Sequence, residues 1–180
     1  MASATITAYS RATASLHWLS AASLIGAVGT VLKAQQTTDK KEKGDIMFIH
    51  KSLGLLTGAL LVPRVAAALL TKRPGPLAGS SSVEHAAGVA GHLALYGFSG
   101  VMASTGIAMG YYGGNGLPFF WTKIPAAAQS EKHIAGPAFK VHKLVGEWGK
   151  FIIPLHIGAA GLHVARGQAI FSRINPFRAK

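Results

Sequence analysis

The sequence predicts an all-α membrane protein whose four transmembrane helices form one bundle. Hydrophobic residues make up 49% of the 180-residue chain and charged residues only 13%, a balance that is unusual for a soluble domain. Four apolar stretches, at approximately 14–33, 47–71, 87–111 and 139–165, are each long enough to cross a hydrocarbon core of roughly 30 Å. We therefore expect residues 1–180 to form a single transmembrane domain with both termini on the same side of the membrane.

The connections between these stretches carry most of the charge and the turn-forming residues. A basic run precedes the second stretch at 40–43, and the segment 72–76, with two prolines, follows it. The longest connection, at about 112–138, contains a glycine cluster followed by Phe119, Phe120 and Trp121. Because it lacks a following G-K-[ST] motif and a preceding strand, we interpret it as a loop at the headgroup interface and not as a phosphate-binding loop.

The basic residues indicate contact with lipid headgroups and not with nucleic acid. The net charge is +12, but most of it lies in short loops beside the predicted spans, where anionic lipid is the expected partner. The cluster after the last stretch favours termini on the inside; it comprises Arg166, Arg173, Arg178 and Lys180. The first helix is expected to be retained, since no small-residue cleavage site follows a short apolar region.

Histidines inside the apolar stretches are the candidate functional residues, because an ionisable residue within a span is costly. The first three spans contribute one histidine each and the fourth contributes three: His17, His50, His92, His142, His156 and His163. The absence of cysteine from the sequence excludes thiolate ligands and covalent attachment of c-type haem. Two further histidines are expected to lie in solvated loops: His85 and His133.

The spacing within the fourth stretch predicts two sites at different depths. Fourteen residues, almost four helical turns, separate His142 from His156, so the two share a face and stand roughly 21 Å apart along the membrane normal. Each haem iron that shuttles electrons without binding dioxygen needs two axial ligands, and imidazoles from facing helices supply them. By depth, His50 and His142 are predicted to ligate the iron of an outer b haem. His17 and His156 are predicted to ligate that of an inner b haem.

Three other residues of the inner half leave alternatives open. His92 and His163 could replace His17 as a ligand, or could serve a quinone or proton path. Arg64, in the second span, suits a haem propionate and simple snorkelling to the headgroups equally well.

The chain resembles the prokaryotic-type cytochrome b561 family, which is related to the cytochrome b subunits of nickel-iron hydrogenases and formate dehydrogenases. The resemblance covers most of the chain and rests on four groups of residues: Tyr9, Ser10 and Arg11 leading to His17 and Trp18; His50, Lys51, Ser52, Leu53 and Gly54; Gly91, His92 and Leu93; and His142, His156 and His163. It implies the same two haem pairings as the depth argument. Val89 and Val164 depart from the pattern, since some relatives have histidines there.

The resemblance implies transfer of electrons between haem and a membrane quinone. One branch of the family passes electrons from superoxide to ubiquinone, so we expect an electron path from an outer donor, with superoxide as a candidate, to a quinone near the inner haem. Lysines of the outer side could steer such an anion. Whether the chain is itself an oxidoreductase stays open, since other relatives are haem-bearing anchor subunits of larger respiratory-chain complexes.

Two further expectations concern transport and location. A transporter is disfavoured, because repeat symmetry is lacking and Pro154 alone is a weak indication of a broken helix. The expected location is an energy-transducing inner membrane, either bacterial or mitochondrial.

Overall fold

The structure is a computed structural model that describes residues 8–177. Its elements, in chain order, are α1 (Arg11–Gln36), α2 (Lys40–Leu70), α3 (Ser82–Tyr112), the strands β1 (Leu117–Phe119) and β2 (Thr122–Ile124), α4 (Lys132–Gly149), α5 (Ile152–Ala165) and a 3₁₀ turn (Phe171–Ile174). The chain is therefore mostly helical, as predicted. Arg178 and Lys180, on which the expected orientation partly rests, lie outside the described residues.

Side-chain caps start α2 and α3 earlier than the apolar pattern predicts. Asp39 accepts a hydrogen bond from Glu42 N at 2.7 Å, and Ser81 and Glu84 form a reciprocal capping box. Each cap satisfies a backbone N–H that the first turn of a helix leaves without an intrahelical partner. The prediction that the basic run at 40–43 forms a loop is therefore wrong, because these residues form the polar first turn of α2.

Small side chains occupy the buried positions of α1 and α2, whereas large apolar side chains face outward. The buried set is Ala14, Ser20, Ser23, Ala27, Ala34, Ser52 and Thr57. Thr57 Oγ1 donates to Ser23 Oγ at 2.9 Å, which links the two helices. Val62 and Leu70, by contrast, are 71% and 85% exposed. Small residues at helix contacts and large apolar residues on the outside are the arrangement of a bundle surrounded by lipid.

Among the described residues, three helices, α1, α2 and α3, are long and apolar enough to cross a membrane. The single helix predicted over 139–165 is wrong in one respect, because the structure divides this region into α4 and α5. Pro154 explains the interruption, since it has no N–H for the carbonyl of Lys150 and its ring clashes with that carbonyl. Lys150 and Phe151 both keep right-handed helical dihedral angles, so the break is a kink and not a reversal of the chain.

The two ends of the described chain meet at one end of the bundle. Tyr9 N donates to Arg173 O at 3.0 Å, and Trp18 Nε1 donates to Ile174 O at 2.9 Å. The start of α1 is thereby held against the 3₁₀ turn that follows α5. This contact brings the beginning and the end of the predicted bundle together.

An antiparallel hairpin of β1 and β2, which the sequence did not predict, lies within the longest connection. Ser52, fully buried on α2, accepts a hydrogen bond from Phe120 N at 2.9 Å and donates to Phe48 O at 3.0 Å. Phe120 has a φ of 51° at the two-residue turn, where tight hairpins require left-handed backbone. The hairpin is thus fastened to α2 two residues after His50.

Candidate functional site

The structure brings four of the predicted histidines together as two pairs. His50 on α2 and His142 on α4 have ring centroids 6.3 Å apart, and we name them the outer pair. His17 on α1 and His156 on α5 have ring centroids 6.4 Å apart, and we name them the inner pair. These are the pairs that depth along the membrane normal predicted. Each pair joins two different helices, so the packing of the bundle sets both separations.

The separation of the rings suits one metal ion held between them. Two imidazoles that bind one ion from opposite sides, each at a metal–nitrogen distance of about 2 Å, have centroids roughly 6 Å apart. Both pairs meet this condition without movement of the backbone. Within residues 8–177, no group of three or more histidine or acidic side chains is placed to hold a metal ion. Two facing imidazoles are the axial ligand set of a low-spin b haem.

The hydrogen bonds of the outer pair leave both Nε2 atoms available to a metal. His50 Nδ1 donates to the carbonyl oxygen of Ala27 at 2.8 Å. Thr105 Oγ1 donates its single proton to Val101 O at 2.5 Å, so it accepts the hydrogen bond from His142 Nδ1 at 2.9 Å. A neutral imidazole that donates through one nitrogen presents a lone pair on the other. Both rings are thus fixed in orientation and in the tautomer that a haem iron requires.

A glycine on α3 lies directly against the outer pair. A Cβ atom at Gly106 would lie 3.4 Å from His142 Cε1, at the short limit of ordinary van der Waals contact. Any larger residue at this position would therefore press on the ring. Gly106 therefore allows α3 to approach the His142 ring closely.

The inner pair has different neighbours. Arg64 Nη2 donates to His17 Nδ1 at 2.9 Å, and the guanidinium lies over the ring of Tyr96, 5.5 Å from its centroid. The ring of Trp18 packs edge-on against His17 at a centroid distance of 5.3 Å. The inner level of the bundle therefore combines a histidine pair with a cation and two aromatic rings.

His92 joins the inner pair as a third histidine. Its ring centroid lies 5.2 Å from that of His156, and its Nδ1 donates to Gly88 O at 2.7 Å. The residue is exposed, in contrast to the part-buried rings of His17 and His156. His92 is thus positioned beside the inner pair, at a surface that a membrane-soluble molecule can reach.

The remaining histidines do not enter either pair. His163 Nδ1 donates to Gln168 Oε1 at 2.6 Å, at the end of α5. His85 lies within α3 and His133 within α4, so the expectation that both lie in loops is wrong. Both are exposed, and His133 lies 3.3 Å from Glu131.

Thr105 is the site residue that sequence reasoning missed. Thirteen residues separate it from His92 on α3, so the helical rise that placed the histidines also places Thr105 near the level of His142. A threonine in a helix is usually satisfied by its own backbone. For this reason, a threonine in a predicted span did not by itself indicate a contact with the His142 ring.

The fold and the site define a class of protein first. Apolar helices that carry facing histidine pairs, in a chain without cysteine, provide the ligand set of a membrane protein that holds b-type haem. A family model for prokaryotic cytochrome b561 matches residues 8–176. Cytochrome b561 homolog 2 of Escherichia coli (strain K12) is 34% identical over 133 residues, which are 66% of this chain and 64% of that protein.

The chain belongs to the prokaryotic cytochrome b561 family. This confirms the family that the residues around His17, His50, His92 and His142 predicted. Membership implies that the chain is a membrane protein that binds b-type haem. The chain spans just under two thirds of the length of the Escherichia coli relative.

Proposed function

We propose that the chain is a di-haem cytochrome that passes electrons across a membrane from an outer donor to a quinone. The observation that carries this proposal is the pair of nearly equal ring separations, 6.3 Å and 6.4 Å, on different helices. In the proposal, residues 1–180 form one domain, and α4 and α5 together make the fourth crossing. Bound haem supplies reversible one-electron exchange at each pair.

His50 and His142 of the outer pair would hold the first haem through one imidazole each. Ala27 O and the Thr105 hydroxyl keep the two Nδ1 atoms protonated, so the lone pair of each Nε2 atom is available to iron. The hairpin fastened to Ser52 lies over this end of α2, beside His50. The proposed entry side for electrons is therefore the end that carries the hairpin.

Superoxide is the proposed donor, and lysines beside the outer pair are proposed to attract it. Lys51 and Lys143 directly follow His50 and His142 in sequence, and both are exposed. Each superoxide gives up one electron and leaves as dioxygen. A field of positive charge raises the arrival rate of a small anion, and salt screens that field. The bimolecular rate with superoxide should therefore fall as ionic strength rises.

A quinone, with ubiquinone as the first candidate, is the proposed acceptor at the inner pair. Reduction of one quinone takes two electrons and two protons, so two superoxide ions are consumed per quinol. His92 is proposed to supply or relay a proton there, because it is exposed and packs against His156. His163, hydrogen-bonded to Gln168 at the end of α5, is a second candidate on the same path.

The proposed setting is a bacterial inner membrane, with the termini on the inside. The family model is prokaryotic and the similar protein is bacterial, so the mitochondrial alternative gains no support. Membrane lipid is the proposed partner of the outward-facing apolar side chains and of the basic ends of the helices.

The test is quinone reduction by the purified chain alone. The chain is placed in liposomes that contain ubiquinone, superoxide is generated outside, and quinol formation is followed by absorbance. We expect quinol formation that superoxide dismutase abolishes and that the His142→Ala variant lacks. A chain that carries both haems but forms no quinol would contradict this function and favour the alternative, a haem-bearing anchor subunit of a larger respiratory-chain complex.

A further inference from the structure

Arg64 lies as far along α2 from His50 as His156 lies along the chain from His142. It follows His50 by fourteen residues on α2, the interval that separates His142 from His156. Fourteen residues are almost four helical turns, so Arg64 shares a face with His50 and stands at the level of the inner pair. The structure agrees, because Arg64 Nη2 lies 2.9 Å from His17 Nδ1. The second helix thus presents a histidine at the outer level and an arginine at the inner level.

Arg64 has no acidic partner among the described residues. The six acids of the chain lie elsewhere, at or near helix ends: Asp39, Glu42, Asp45, Glu84, Glu131 and Glu147. The ion pairs between residues 8 and 177 join four of these acids to other bases, and none includes Arg64. A guanidinium inside a membrane span is costly unless an anion or a hydrated surface neutralises it.

The present hydrogen bond of Arg64 conflicts with metal binding by His17. A guanidinium only donates, so His17 Nδ1 accepts, and the proton of the neutral ring then lies on Nε2. An iron ion needs the Nε2 lone pair, which puts the proton on Nδ1 and removes the acceptor of Arg64. When His17 binds iron through Nε2, Arg64 therefore needs another acceptor close to the same ring.

We propose that Arg64 binds a propionate carboxylate of the inner haem and thereby raises the midpoint potential of that haem. This inference rests on the proposed inner site at His17 and His156. Haem brings carboxylates to the site, and an arginine forms charge-assisted hydrogen bonds with a carboxylate in a bidentate geometry. Reduction adds an electron to the haem, and a nearby positive charge stabilises the reduced form. The same residue that neutralises the propionate thus favours electron arrival at the inner haem.

The outer pair has a different electrostatic environment. Its Nδ1 atoms are held by a backbone carbonyl and a hydroxyl, both uncharged. Lys51, the nearest basic residue in sequence to His50, is exposed, and water screens its charge. Arg64 is part-buried beside the inner pair, where screening is weaker. The proposal therefore assigns the higher potential to the inner haem, in the direction of electron flow from donor to quinone.

The test is a spectroscopic redox titration of the full chain with Arg64→Gln and Arg64→Lys. The matched control is Arg73→Gln, which removes an exposed arginine that follows α2 and donates to Ala68 O. The single low-spin haem expected to remain in the His142→Ala chain identifies the inner midpoint. We expect Arg64→Gln to lower the inner midpoint by a tenfold change in its equilibrium constant, about 59 mV for one electron. Arg64→Lys should fall between Arg64→Gln and wild type, and Arg73→Gln should match wild type.

Every other outcome of this titration either supports or overturns the proposed role of Arg64, or contradicts the proposed function. Two unchanged midpoints in Arg64→Gln, or equal shifts of both, would overturn the proposal, because a carboxylate contact acts on one haem. Loss of the inner haem from Arg64→Gln, with its retention in Arg64→Lys, would support it. Loss from both variants would overturn it and assign Arg64 to holding the His17 ring. A wild-type chain without two low-spin haems would instead contradict the proposed function itself.

Discussion

The outer and inner pairs have nearly the same ring separation but different surroundings. Each ring of the outer pair donates through Nδ1 to a fixed acceptor, Ala27 O for His50 and Thr105 for His142. In the inner pair, His17 Nδ1 accepts from Arg64. The His156 ring has no hydrogen bond to a residue within 8–177, and it lies near the rings of His17 and His92, at centroid distances of 6.4 Å and 5.2 Å. Separation alone therefore does not make the two pairs equivalent.

This difference in surroundings indicates which interactions control haem binding at each pair. The outer pair is preorganised by neutral hydrogen bonds, so changes to those bonds should weaken its haem. The inner pair is surrounded by a cation, a third histidine and aromatic rings, so changes of charge should act there. Variants that affect one pair and spare the other test this distinction.

The largest expected effect is loss of one haem site when one ligand is removed. His142→Ala should remove the outer low-spin haem or convert it to high spin, leaving about half of the low-spin absorbance, because one of two axial ligands is gone. His156→Ala should do the same to the inner haem. Absorbance spectra of the reduced and oxidised proteins measure both. Full low-spin absorbance in either variant would contradict the pairing.

A smaller effect is expected when the acceptor of His142 Nδ1 is removed. Thr105→Val keeps the shape of the side chain and deletes the hydroxyl, so the ring loses its orientation. Loss of such a supporting hydrogen bond typically weakens metal binding by about 10- to 100-fold. Transfer of haem to excess apomyoglobin should accelerate for the outer haem alone. Ser104→Ala is the matched control, since Ser104 contacts Val101 O but neither histidine; equal acceleration in both variants would remove the role of Thr105.

His92→Ala should change the spectrum less than either ligand variant. His92 is expected to lie beside the inner haem without binding its iron, so both low-spin haems should be retained while quinone reduction slows. Low-temperature spectra and quinol formation measure the two properties separately. If His92→Ala lost the inner haem and His17→Ala kept it, α3 and not α1 would supply the inner ligand.

The smallest expected effect concerns the ion pair that fastens the inner end. Hydrogen bonds from Ser81 N and the Arg166 guanidinium hold the pKa of Glu84 below its usual value of 4.5. A carboxyl whose pKa is lowered by folding stabilises the folded state above its unfolded pKa, and loses this contribution as pH falls through its folded pKa. Glu84→Gln should therefore lower the unfolding temperature slightly at neutral pH.

The pH dependence of that difference provides the check. Thermal unfolding of wild type and Glu84→Gln should differ by a constant small amount from neutral pH down to about 5, and should converge below that. The effect is small because the pair is exposed and screened by solvent. A difference that grows on acidification would show that Glu84 is not an ionised partner of Arg166.

The sequence predicted much of the helical framework, because span length and histidine spacing both follow from the helical rise. The interval from His142 to His156 predicted two separate sites, and the structure pairs these histidines with His50 and His17 respectively. The polar first turns of α2 and α3 were not predicted. Asp39 and Ser81 cap these turns, but an apolar pattern indicates only the part of a helix that lies within lipid. The interruption of the fourth span was also missed, although Pro154 carries its physical cause.

The features that the sequence did not reveal depend on contacts between distant residues. Thr105 becomes a site residue only when α3 packs against α4 and brings its hydroxyl to His142. The hairpin depends likewise on Ser52, which lies far from it in sequence. The sequence left two roles open for Arg64, a contact with a haem propionate and snorkelling to the headgroups. Its position beside His17 favours the propionate contact.

The most direct test of the account is the number of haems per chain before and after removal of one pair. Pyridine haemochrome absorbance divided by protein concentration gives this ratio for wild type and for the double variant His50→Ala with His142→Ala. The account predicts two haems in wild type and one in the double variant, because both changes act on one site. A ratio of one in wild type, or loss of both haems from a double variant that remains folded, would contradict the two-pair arrangement.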